Sequence, residues 1–505
     1  MKKVIAVVGA LSVWNALAFE PIFLKATDFI EVGGKPSLVT WSRGAAHVPV
    51  WSLSGGTVGQ SVAALTAPLP AGCAGVKVEL IVATQDKTTN PSFTDVFRVH
   101  LSQVAAGEKL GWRGATGKPV LNPLPAEPDQ VRSLVIESYH RVQPGCPLAV
   151  RVQREPGDPG DTFTRPAGLV AVRVTPLAAP EPVRTVESKP GYNSWPMMQA
   201  IGQKLVCAYS CGSGHSIGEG KRGVYARTST DGGKTWTPEV LVADDPAYGE
   251  VTIGKGLDQD GAMLLWIRCV GGPKGHHDLY RTTDGVKFEK IASPAFNPFP
   301  MQVTDVFKTK SGLMSLWFAT HYGKDSTNNA WGTLTSADNG KTWVQHTVEG
   351  GLTLKELPVE QSAVSLGDGR ILAIARTEGG PTALDSQFQL TSTDDGATWK
   401  RERTNIRDVS SSTPSLLYDA KTDLVTNYYY ERGKGVLKRR IVKASAIFDH
   451  PLAWPAAEGV GFGEEDRPWD AGNVNATEIG RTHYAAYYHG TRTDSSVCIV
   501  PVPAP

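Results

Sequence analysis

Ionisable and aromatic side chains gather at the ends of short apolar runs in the C-terminal two thirds of this 505-residue chain. His215 and Glu219 follow one such run, and His276 and His277 the next. His321, Tyr322 and Asp325 follow a third, Arg376 and Glu378 a fourth, Glu431 and Arg432 a fifth, and His489 and Arg492 a sixth. A second set opens neighbouring runs: Asn193, Trp195, Glu250, Thr304, Asp305, Glu360, Gln361, Asp470 and Asn473. Carboxylates beside imidazoles suit general acid–base work, and guanidinium groups suit an anionic ligand. No metal-ligand spacing such as His-Glu-x-x-His accompanies the histidines, so neither metal nor cofactor is expected.

These residues need elements that bring them together. Residues 204–209, 262–267, 313–318, 370–375, 424–430 and 482–488 are apolar enough to be buried strands. Tight turns precede several of them, best seen in Gly367-Asp368-Gly369. In a row of hairpins, the starts of the first strands and the ends of the second strands share one face. Both sets of residues then fall on that face.

A repeated motif sets the architecture. Ser229-x-Asp231-x-Gly233-x-Thr235-Trp236 recurs as Ser336-x-Asp338-x-Gly340-x-Thr342-Trp343 and as Ser392-x-Asp394-x-Gly396-x-Thr398-Trp399. A shortened copy runs Thr282-x-Asp284-Gly285-x-x-Phe288. The starts at 229, 282, 336 and 392 are 53, 54 and 56 residues apart. Such a period marks one supersecondary unit per repeat, and residues 189–505 leave room for about six. The motif itself is turn chemistry: Asp binds backbone N–H groups and Gly accepts positive φ. Asp231, Asp284, Asp338 and Asp394 are therefore read as structural.

The copies resemble the Asp-boxes of the sialidase-type (BNR-repeat) six-bladed β-propellers, from about residue 189 to the C-terminus. The resemblance implies an all-β fold with a glycan at the predicted face. The segment from Glu360 to Arg376 is similar to the family segment in which a Glu opens one strand and an Arg closes the next. Carried over, Glu360 polarises a nucleophile, and Arg376 clamps a substrate carboxylate through its planar guanidinium. Arg432 is a second candidate clamp. The chain departs from the family in two places. Asn193-Ser194-Trp195-Pro196 stands where the family has Arg-Ile-Pro, and Asn473 follows Gly472 where the family has its nucleophilic Tyr.

Residues 19–178 lack the repeat. Their alternating runs, 76–82, 96–101, 133–139, 148–152 and 169–174, predict a β-sandwich of jelly-roll kind. A Pro- and Ala-rich linker is expected over 179–190 and the propeller over 191–505. Residues 1–18 read as a signal peptide: Lys2-Lys3, an apolar stretch, then Ala16-Leu17-Ala18 for cleavage after Ala18. Secretion or periplasmic export follows, with no membrane span. Cys73 and Cys146 are candidates for a disulfide. With 51 basic and 50 acidic residues the chain carries no excess charge for nucleic acid.

Three functions fit these residues. The first is a secreted sialidase-like glycoside hydrolase acting on a terminal, acidic sugar. Its catalytic candidates are Glu360, His215, Asp470, Asp305 and Glu219. Its substrate-binding candidates are Arg376, Arg432, Trp195, His276, His277, His321, Tyr322, Glu378, Gln361, Asn473 and His489. The alternatives are a non-catalytic glycan binder, with an exposed Trp195 stacking on sugar, and a lyase on a uronate polymer. The partner in each is a glycan or polysaccharide. The sequence leaves the oligomeric state open.

Overall fold

The computed structural model describes residues 19–43, 46–55, 58–84, 94–103, 120–123, 132–140, 142–178, 182–215, 222–320, 329–377, 386–407, 412–432, 435–462 and 470–505. The N-terminal part holds two antiparallel sheets. Cys73–Ala83 lies inside the first, between Ala167–Ala178 and Arg132–His140. Pro147–Arg154 lies inside the second, between Gln60–Pro68 and Thr94–Gln103. Alternation decides which side chains are buried. Val76, Val78, Leu80 and Val82 of the first sheet share one core with Val62, Phe97, Val99, Leu148, Val150 and Val152 of the second. All six cysteines are free, so Cys73 and Cys146 are not joined. Cys73 Sγ instead donates to the Gly75 carbonyl.

The rest of the described chain forms six four-stranded antiparallel blades in a ring. The first blade is Tyr192–Ile201, Lys204–Gly212, Gly223–Ser229 and Val240–Ala243. The second is Gly249–Leu257, Met263–Val270, His276–Thr282 and Glu289–Ala292. In the third the inner strand is broken into Gln302–Val303 and Phe307–Lys308, followed by Leu313–Ala319, Asn329–Ser336 and Val344–Leu352. The fourth is Val359–Gly367, Arg370–Arg376, Phe388–Ser392 and Lys400–Arg403. The fifth is Ser415–Asp419, Leu424–Glu431, Val436–Lys443 and Glu458–Phe462. The sixth has Asp470–Ile479, Thr482–Gly490 and Ser495–Pro503 from the C-terminus.

The outer strand of the sixth blade is Arg184–Glu187, from within the stretch expected to be a linker. It closes the ring. Its backbone pairs with Ser495–Pro503, while Glu187 accepts hydrogen bonds from Arg227 (2.7 Å) and Tyr209 (3.0 Å) of the first blade.

The Asp-boxes are built as their chemistry predicts. In the first, Asp231 accepts from the Thr235 backbone (3.0 Å) and hydroxyl (2.6 Å), while Ser229 Oγ accepts from the Gly233 N–H (2.8 Å). The boxes at Asp338 and Asp394 repeat this. Each box also rests on the preceding blade. A Cβ on Gly285 would lie 2.6 Å from Val206 and Thr228 of the first blade, and one on Gly396 would lie 2.4 Å from Met314 of the third. Gly285 and Gly396 are thus needed for both their positive φ and the close approach, whereas at Gly340, where a Cβ would lie 3.5 Å from Leu264, the positive φ alone requires glycine.

Candidate functional site at the mouth of the ring

The inner strands of the first, fourth and sixth blades carry the same bulge at the same height. Residues 195 and 196 face one partner residue, as do 360 and 361, and 473 and 474. The first residue of each bulge is left-handed: Trp195 (φ 50°), Glu360 (φ 50°) and Asn473 (φ 46°). This costs a bulky non-glycine residue roughly 1–3 kcal/mol and clusters at functional sites. The three bulges thus set Trp195, Glu360 and Asn473 at equivalent register positions of their blades.

In the fourth blade Glu360 accepts from Arg376 Nη1 at 2.7 Å, with both side chains largely buried. The resemblance assigned these two as polarising acid and carboxylate clamp, and the structure pairs them with each other. Gln361 turns away, donating its amide to the Pro358 carbonyl (2.7 Å). Arg432 reaches from the fifth blade to the sixth, where a Cβ on Gly472 would touch its guanidinium.

Where the first and sixth blades meet, the Tyr192 hydroxyl is 2.6 Å from His215 Nδ1 and 3.2 Å from the Tyr488 hydroxyl. The His215 backbone N–H is held by the Arg492 carbonyl (2.8 Å). Trp195 packs edge-on to Tyr192 and lies under Arg222, whose guanidinium is 4.7 Å from the indole. The expectation of an exposed Trp195 is therefore corrected: it is 8% exposed, because Arg222 covers it. Tyr192, Tyr488 and Arg222 were missed in the sequence. Tyr192 lies one residue before Asn193 in the same inner strand, the only local sign of it.

Other candidates fall elsewhere. Asp305 lies where inner strands converge, 3.8 Å from Lys255 Nζ, and accepts from the Lys255 N–H (3.1 Å) and Asn475 (3.5 Å). Lys255 itself donates to the Ala476 carbonyl (2.9 Å). Burial presses Lys255 down and Asp305 up toward neutrality, and their attraction opposes both shifts. Asp305 thus joins three blades rather than facing the rim alone. His277 is also corrected: it is fully buried between Phe296 and Phe299, and burial holds it well below its ordinary pKa. His276 lies on the other face of that strand, beside Asp278 (3.5 Å). His489 packs against Tyr487. Asp470 opens the sixth inner strand, opposite Gly490. Glu219, His321, Tyr322, Asp325 and Glu378 lie outside the described residues. Among the described residues, no helix is long and apolar enough to cross a membrane.

Residues 281–480 match the BNR repeat-like domain family. No curated protein matches the chain. Among solved structures, a protein of unknown function from Dyadobacter fermentans is similar over 64% of this chain and 98% of its own, at 18% identity and a TM-score of 0.52. The NanB sialidase of Streptococcus pneumoniae is similar over 86% of this chain and 95% of its own (12% identity, TM-score 0.49). The Trypanosoma rangeli sialidase is similar over 63% and 57% (11% identity, TM-score 0.46).

Proposed function

Residues 281–480 match the BNR repeat-like domain within a six-bladed β-propeller, and we propose that the chain is an exported, sialidase-like glycoside hydrolase that takes a terminal acidic sugar at the mouth of the ring. The observation that carries this reading is the left-handed bulge shared by three inner strands at Trp195, Glu360 and Asn473, a costly backbone conformation of the kind that clusters at functional sites. Arg376 and Arg432 would hold the sugar carboxylate. Glu360 would act as base toward the attacking water. His215, coupled to Tyr192, would give a proton to the departing oxygen. Asp470 and Glu219 remain candidates for the second carboxylate. An inverting pair would stand about 6.5–9.5 Å apart and a retaining pair about 5–5.5 Å. Export rests on residues 1–18 and belongs to the same proposal.

One observation favours a second reading, glycan binding without hydrolysis: the Glu360 carboxylate is already engaged by Arg376; the resemblance adds that Asn473 falls where the family has its nucleophilic Tyr. Mass spectrometry of sialylated, uronate-containing and neutral glycans incubated with the protein decides between them. A free acidic monosaccharide released by the wild type and lost in Glu360→Gln is expected. Binding with no product would sink hydrolysis and leave the second reading. An unsaturated product would make the protein a lyase.

A further inference from the structure

The second blade carries a row of metal-ligating groups away from the Glu360 bulge. Cys269 pairs directly with His276 across two strands, and Asp278 lies two residues on, on the same face. The thiol sulfur, an imidazole nitrogen and a carboxylate oxygen all lie within 4.8 Å of one another. Glu250, on the inner strand, pairs with Cys269 from its other side and extends the row.

Three further observations point to a cation. Asp278 and Glu250 are 4% and 2% exposed, yet Asp278 Oδ1 and Glu250 Oε2 have no hydrogen-bond partner. A buried carboxylate oxygen without a partner is costly, and a bound cation removes that cost. His276 Nδ1 is 3.2 Å from the Lys274 carbonyl, which can only accept, so the neutral ring donates Nδ1–H to it and keeps a lone pair on Nε2, the nitrogen facing Asp278. A carbonyl that accepts from the far ring nitrogen is how ligating histidines are oriented. The Tyr248 ring stands edge-on to the imidazole at 4.8 Å and fixes its plane.

We propose that Cys269, His276 and Asp278 bind one zinc-class divalent cation, with Glu250 supplying charge behind them. Sulfur, nitrogen and oxygen donors together suit zinc, whose ligand bonds run about 2.0–2.3 Å. Lys290, half exposed and 3.3 Å from Asp278, occupies the positive role in the ion's place. Metal binding therefore displaces this ammonium and the thiol proton.

The test is cobalt(II) titration of the full chain after chelator treatment, with zinc content measured by elemental mass spectrometry. A thiolate-to-cobalt charge-transfer band saturating at one equivalent is expected, displaced by zinc. Cys269→Ser should abolish the band, and His276→Gln should weaken affinity roughly 10–100-fold. Cys211→Ser should leave it unchanged. Lys290→Ala, at an exposed position, should tighten binding and needs no core change. A wild type without the band, a band that survives Cys269→Ser, or Lys290→Ala binding no tighter than wild type would each overturn the site.

Discussion

Glu360 and Arg376 close on each other at 2.7 Å within one hairpin, the acid from a left-handed bulge and the base from the last residue of the facing strand. The hairpin register places them, since Val359 pairs with Arg376 and the bulge turns the next residue over it. An incoming carboxylate would compete with Glu360 for the same guanidinium. Arg376→Ala should therefore weaken an acidic glycan about 10- to 100-fold, from a charged hydrogen bond of about 1.5–3 kcal/mol, and leave a neutral glycan nearly unaffected. Calorimetric titration of the two ligands reads the difference. Equal losses for both would remove the clamp role.

Local chemistry was legible in the sequence and ring closure was not. The Asp-boxes are turns whose partners lie within four residues, so each could be read from its own residues and their spacing gave the blades. Glu360 and Arg376 were legible because they flank one hairpin. Tyr192 and Tyr488 are 296 residues apart and meet only because the last blade returns to the first. Asp305 looked like a free carboxylate because its partner, Lys255, comes from another blade. Arg184–Glu187 was read as linker because a four-residue edge strand is too short to show alternation.

That short strand carries the next prediction. Glu187 holds the closing strand to the first blade through Arg227 and Tyr209. Burial works against its charge, and hydrogen bonds from the Lys189 backbone, Arg227 and Tyr209 outweigh it, holding the carboxyl below the usual range. Glu187→Ala removes the carboxylate that Arg227 Nε and Nη2 share, while Tyr209 keeps Glu239 (3.0 Å) and Arg227 Nη1 keeps the Thr237 carbonyl (3.1 Å), at a cost of about 1.5–3 kcal/mol. Hydrogen exchange should quicken in 184–187 and 495–503 before the other blades. Uniform quickening across all six would count against a local closure role.

Two glycines separate strain from crowding. Gly367 and Gly285 have φ of 85° and 74°, but a Cβ meets nothing within 4 Å at Gly367 and β-branched Val206 and Thr228 at Gly285. Gly367→Ala should cost about 1 kcal/mol from the left-handed backbone. Gly285→Ala should cost about 1–3 kcal/mol more, from overpacking between blades. Urea denaturation of both variants measures this. Equal costs would mean that the box does not brace the neighbouring blade.

The Lys255–Asp305 pair predicts an asymmetry. Removing one partner leaves a buried charge uncompensated, so Lys255→Met and Asp305→Asn should each destabilise by about 3–5 kcal/mol. The double variant should recover much of that loss, since neither charge is then stranded. A double variant as unstable as the sum of the two would show that the residues do not act as a pair.

His483 sets a pH dependence. It lies buried beside the Tyr428 hydroxyl, 2.9 Å from Nδ1, and burial, aided by Arg439, holds its pKa down to about 4. In the unfolded chain it titrates near about 6.5. Between these values the unfolded state binds the extra proton, so the contribution is complete above about pH 6.5 and is lost as pH falls toward about 4. At about 1.36 kcal/mol per unit, the loss is roughly 3 kcal/mol. His483→Gln keeps a hydrogen-bonding side chain that does not titrate. Unfolding free energies measured from pH 7 to 4 should fall less steeply in this variant than in the wild type, and parallel curves would assign the acid sensitivity to other groups.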